Sequence, residues 1–172
     1  GSSAGYSTDT GVRNVFVGNS TGYLNAGGGD NVYIGHQAGN QSVSASCVVS
    51  IGQSAGQFNT GNYNVFLGYL AGVEHTSGED NVMIGRQSGY GTYSNSTYDT
   101  TTAIGAYSGL RLTSGSSNSL LGYQAGYNLT TGANNVLIGY RSGDAITTGG
   151  SNIIIGYDIE PISVSGSNQF AL

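Results

Sequence analysis

Short apolar runs, each closed by a glycine, recur along the whole chain. Asn14-Val15-Phe16-Val17-Gly18 returns as Asn31-Val32-Tyr33-Ile34-Gly35, Asn64-Val65-Phe66-Leu67-Gly68, Asn81-Val82-Met83-Ile84-Gly85, Asn118-Ser119-Leu120-Leu121-Gly122, Asn135-Val136-Leu137-Ile138-Gly139 and Asn152-Ile153-Ile154-Ile155-Gly156. Two looser copies close at Gly52 and Gly105. Such runs, rich in β-branched residues and bounded by Gly, Asn, Asp and Ser, predict short β-strands. The closing glycines stand 17 residues apart, except for one interval of 16 (Gly52 to Gly68) and one of 20 (Gly85 to Gly105). A second glycine follows four residues later, from Gly22 to Gly143. A third follows near ten, at Gly28, Gly61, Gly78, Gly115, Gly132, Gly149 and Gly166.

One strand and three glycines per 17 residues suit a coil of parallel β-helix, because helical repeats need about 33 residues or more. The predicted fold class is all-β: a parallel β-helix or β-roll solenoid of about ten 17-residue coils, stacked at roughly 4.8 Å into a rod on the order of 45 to 50 Å long. Residues 1–172 form a single array, expected to be a segment of a longer fibre. Glycine is expected to supply positive φ at the corners, and the recurrent Asn a ladder of stacked amides. The extra residues of the long interval are placed at 90–101, as an outward loop that cannot join the stacked core.

Side chains alternate across a strand, so Val32 and Ile34 point one way and Tyr33 the other. The sequence reading turns the flanking pair inward. That leaves Phe16, Tyr33, Phe66, Met83, Leu120, Leu137 and Ile154 outside, as an apolar stripe that monomers do not normally expose. Burial of that stripe between identical rods suggests a parallel closed ring; a homotrimer is the expectation, with two chains as the alternative.

Composition narrows the partners. Charged residues are 8% of the chain, against roughly 25% in ordinary domains. Four arginines face nine carboxylates, for a net charge of -5, which argues against nucleic-acid or anionic-lipid binding. With 37% hydrophobic residues the chain is not expected to be disordered, and no apolar run of about 18 residues is present to insert into a membrane. The single Cys47 excludes an intrachain disulfide and a cysteine zinc site.

The unit Asn-Val-x-Ile-Gly-x-x-Ala/Ser-Gly, followed by a Thr/Ser-Gly turn, resembles two groups of trimeric fibres. One is the YadA-like head of trimeric autotransporter adhesins. The other is the shaft of phage and phage-like tail fibres, to which Thr131-Gly132-Ala133-Asn134-Asn135-Val136-Leu137-Ile138-Gly139-Tyr140 and the ending Ile154 to Pro161 are similar. The resemblance implies a three-chain, extracellular or virion-borne fibre that attaches to a host or other surface. It departs from the adhesin head in its longer period.

Catalytic patterns dissolve into the repeat. Gly18-Asn19-Ser20-Thr21-Gly22 and Gly52-Gln53-Ser54-Ala55-Gly56 fit a nucleophile-elbow pattern, but the same phase carries Gln37, Leu70, Gln87, Tyr107, Gln124, Arg141 and Asp158 elsewhere. His36 and His75 sit at different phases, and Asp30 and Asp80 read as turn caps. No catalytic residue, metal or cofactor is therefore assigned. Tyr69, Tyr123, Tyr140 and Tyr157 follow the closing glycine, and Tyr23, Tyr90 and Tyr127 the second glycine, as rows suited to packing. Tyr90, Tyr93, Asn95 and Tyr98 in the insertion are the candidate ligand-binding residues, for a surface glycan or other host-surface receptor. The functional expectation is a structural and adhesive fibre segment. Two other readings are an ice-binding solenoid, from Thr113, Thr130 and Thr147 in register, and a tail-spike glycan depolymerase, which would need paired acids in a groove.

Overall fold

The computed structural model describes residues 1–92 and 96–172. Ten short strands follow in chain order: β1 (Val15–Val17), β2 (Val32–Ile34), β3 (Val49–Ile51), β4 (Val65–Leu67), β5 (Val82–Ile84), β6 (Thr102–Ile104), β7 (Ser119–Leu121), β8 (Val136–Ile138), β9 (Ile153–Ile155) and β10 (Phe170–Ala171). Each pairs in parallel with the next, giving one ten-stranded sheet in sequential order. The chain is a β-solenoid of about nine turns, and there is no helix among the described residues. Val15 pairs with Val32 and Val32 with Val49, and the register is kept where the spacing changes, Val49 pairing with Val65 and Val82 with Thr102.

The interior is narrow and each coil sends only a few side chains into it. The centre of each strand is one of them: Tyr33, Phe66, Met83, Leu120, Leu137 and Ile154 have no exposed surface, and Phe16 packs against the same cluster. This inverts the facing expected from the sequence. These seven residues are the core of one chain and are not available as an interface between chains; the flanking Val, Ile and Leu look outward instead. The reason lies two residues upstream. Asn and the strand centre stand at i and i+2, and therefore on one face, and the Asn side chains are needed inside.

Asn14 Oδ1 accepts the Asn31 backbone N–H, Asn31 Oδ1 that of Val48, Asn64 Oδ1 that of Asn81 and Asn135 Oδ1 that of Asn152, each within 3.0 Å. The Asn31, Asn64 and Asn135 side-chain amides donate to the carbonyls of Ala45, Gly78 and Gly149. A buried amide with both ends bonded to the neighbouring coil stitches backbone to backbone at a site water cannot reach. Amide-to-amide bonds are present as well, from Asn81 to Asn64 and from Asn135 to Asn118, both 3.0 Å.

Corner conformation is shared more widely than the glycines suggest. Among the described residues, twenty other than glycine have positive φ, at two phases of the coil: the residue before the Asn position (Asp30, Tyr63, Asp80, Asn134, and Cys47 before Val48) and the second after the closing glycine (Gln37, Ser54, Leu70, Gln124). The closing glycine itself has φ near +130° to +140°, which no other residue adopts readily, and a Cβ on Gly35 would lie 2.5 Å from the Gly52 carbonyl oxygen. The third glycine has no positive φ and is required by space alone, since a Cβ there would overlap the carbonyl of the next coil.

Gly35→Ala is expected to cost at least about 3 kcal/mol and to broaden or abolish cooperative unfolding, whereas Gly27→Ala, whose added carbon meets nothing closer than 3.6 Å, is expected to stay within about 0.5 kcal/mol of the parent in thermal melts. Tyr33 offers the opposite sign. Its hydroxyl is buried without a hydrogen-bond partner, and Phe occupies the same phase at positions 16 and 66. Tyr33→Phe is therefore expected to be neutral or to raise stability by up to about 1 kcal/mol.

Candidate functional site

Turning the strand centres inward places two continuous rows on the outside of the sheet. One reads Val15, Val32, Val49, Val65, Val82, Thr102, Ser119, Val136, Ile153, Phe170. The other reads Val17, Ile34, Ile51, Leu67, Ile84, Ile104, Leu121, Ile138, Ile155, Leu172 and is aliphatic without a break. Val17 is 53% exposed and Leu121 48%. The face measures ~45 Å by ~10 Å, or about 450 Å², within the ~300–600 Å² of the largest patch on a typical monomer, a patch that is often functional. Beside it runs a rail of tyrosines. The Tyr123 and Tyr140 rings stack at 5.4 Å and Tyr140 and Tyr157 at 5.0 Å, with Tyr107 edge-on to Tyr123.

A second feature arises where the coil lengthens. The stacking ladder holds at Gly91 (φ +82°), whose N–H donates to the Leu110 carbonyl, and again at Ser96, which forms a parallel bridge with His75. Beside Gly91 lies a cleft of about 500 Å³ spanning four coils. Glu74 comes from one coil, Gln87, Tyr90, Gly91 and Thr92 from the long coil, Leu110 and Arg111 from the next and Tyr127 from the one after. The Arg111 guanidinium stands 5.6 Å above the Tyr127 ring.

The insertion residues singled out in the sequence separate here. Tyr90 lines the cleft. Tyr93 and Asn95 lie outside the described residues. Tyr98 is not on a loop surface: it is fully buried, its hydroxyl donates to the Gly89 carbonyl at 2.7 Å, and its ring packs 4.7 Å from the His75 imidazole. It occupies the phase of the third glycine, so the returning part of the insertion fills the core with an aromatic ring. Sequence reasoning missed Glu74, Gln87, Arg111 and Tyr127. Counted from the second glycine, Glu74, Arg111 and Tyr127 repeat the phases of Tyr90 and Gly91, which was the available signal; Gln87 stands two residues before that glycine.

His75 is the buried titratable group of this region. Its Nδ1 pairs with Asn59 Oδ1 (3.1 Å), and its Nε2 lies 3.2 Å from both the Asn81 side-chain amide and the Tyr98 carbonyl oxygen. Burial pushes it down from 6.5 to about 4. The Asp30 carboxylate is bound by Arg13 of the preceding coil through two hydrogen bonds, 2.5 and 2.7 Å, and is thereby held below the usual carboxylate range. Near the last coil the Glu160 carboxyl is pushed up to about 7, by desolvation and by a hydrogen bond with Asp144, which itself binds Arg141 at 2.7 Å. Ser20, the centre of one elbow pattern, donates to Asn19 Oδ1. Thr113 and Thr130 donate to the carbonyls of Thr130 and Thr147, so these hydroxyls are engaged in the stacking ladder.

No helix of the described chain is long and apolar enough to cross a membrane. No protein-family model, curated protein or solved structure matches the chain.

The His75 environment gives a pH dependence with a definite sign. The unfolded imidazole takes up a proton below 6.5 and the folded one only near 4, so its contribution is complete above pH 6.5 and is lost as pH falls toward 4. The loss amounts to about 3 kcal/mol. His75→Leu, which installs the residue found at this phase in Leu112 and Leu129, is expected to flatten the melting temperature between pH 6.5 and 4 relative to the parent.

Proposed function

We propose that this chain is a structural and adhesive fibre segment that works as a parallel homotrimer, outside the cell or on a virion. The supporting observation is the unbroken aliphatic row from Val17 to Leu172, flanked by a second apolar row and by the tyrosine rail. A periodic face of this length is best matched by a face of the same period. Another copy in parallel orientation supplies one at every coil, the bulkier Ile/Leu row of one chain lying against the smaller Val-rich row of the next. Repeating that contact about an axis closes a ring. The seamless stacking, with one coil's backbone feeding the next, suits a load-bearing shaft. The low charge and the negative balance fit a surface that meets neither nucleic acid nor anionic lipid. The resemblance to tail-fibre shafts and adhesin heads supports the same reading.

The mass in solution tests this. Light scattering coupled to gel filtration is expected to give about 52 kDa, three times the 17.5 kDa of one chain; a monomer or a dimer overturns the trimer. The double variant Leu121→Glu, Ile155→Glu is expected to yield monomers that keep the β-sheet circular dichroism, because both side chains lie outside the core. Leu137→Asp, in contrast, is expected to unfold its own coil by burying a charge.

A further inference from the structure

We propose that the cleft beside the long coil is a saccharide-binding site, taking a pyranose unit of a surface polysaccharide. The inference rests on the adhesive reading and names the ligand class for it. The cleft falls within the ~300–1,000 Å³ of small-molecule sites. Its lining combines the two things a sugar offers contacts for. The Tyr90 ring is a flat apolar partner for the C–H face of a pyranose. Glu74 contributes an acceptor, Gln87 and Thr92 groups that both donate and accept, and Arg111 a fork of donors, matching hydroxyls that do both. Arg111 is pre-oriented by lying over Tyr127, which lowers the ordering cost of using it.

Other ligand classes fit less well. A nucleotide would want several cations or a helix N-terminus around its phosphates, and this lining carries one arginine and one carboxylate. A β-strand peptide would want an unpaired sheet edge, whereas the edges of this sheet are β1 and β10 and the cleft draws on coils in the middle of the stack. None of the residues lining the cleft belongs to the two outer rows of the sheet, so assembly through those rows does not use them. Three copies on one trimer would raise a weak single-site affinity against a surface displaying many copies of the sugar.

The test uses the assembled protein and three immobilised probes: oligosaccharides of a neutral glucan, of an N-acetylhexosamine polymer and of a uronate polymer. The parent is expected to bind at least one of them. Tyr90→Ala and Arg111→Ala are each expected to weaken that binding at least tenfold, with melting temperature and assembled mass unchanged, while Gln41→Ala, at the phase of Arg111 in a coil outside the cleft, leaves it unaltered. Absence of binding to all three probes, or binding that survives both cleft variants, overturns the saccharide site. Because mass is measured on the same samples, a failure of assembly is seen separately from a failure of recognition.

Discussion

Everything in this molecule depends on the axial hydrogen bond from one coil to the next. A coil this thin has no second layer of secondary structure to shelter its polar backbone, and each interior N–H and C=O must find a partner in the coil above or below. Backbone ladders serve the strands. The Asn row serves the turn before each strand, with Oδ1 taking an N–H of the next coil and the side-chain amide reaching one of its carbonyls. Because the bond joins equivalent positions, it imposes the 17-residue period and punishes drift. The departures to 16 and 20 residues are absorbed in the turns, and the strand register survives them.

Given that constraint, the direction of every strand side chain follows. Committing the Asn to the interior commits the strand centre two residues later to the same side, and leaves the two neighbours of the centre outside. The apolar character of all three strand positions then has two causes. The centres are apolar because they fill the core; the flanks are apolar without any such need within one chain. An outer face that is aliphatic at ten successive levels of the slender row from Val17 to Leu172 is unexplained by the fold and is the ground for assigning it to a neighbour.

The long coil shows how a solenoid acquires a cleft without losing its stacking. The ladder holds at Gly91 and again at Ser96. Tyr98 fills the interior against His75, so the longer coil adds core as well as surface. The resulting notch takes its walls from four levels of the stack. Its position was legible in the sequence as the interval of 20 residues, and Tyr90 was legible within it. Glu74, Arg111 and Tyr127 were not, because they are 16 to 37 residues from Tyr90 and meet it only through stacking.

The sequence by itself determined the period, the strand positions, the parallel order and the Asn ladder, because a solenoid's contacts are translations of one short unit and repetition displays them directly. It also held the clue to facing, in the spacing of two between Asn and strand centre, although uniform apolarity of the strand concealed it. Only the tertiary structure decided which apolar row was core, that Tyr98 turned inward, and that the third glycine served close approach and not a positive φ. Those outcomes depend on how much room the interior has and on where the next coil's carbonyl falls, which are properties of the stacked whole and of no single repeat.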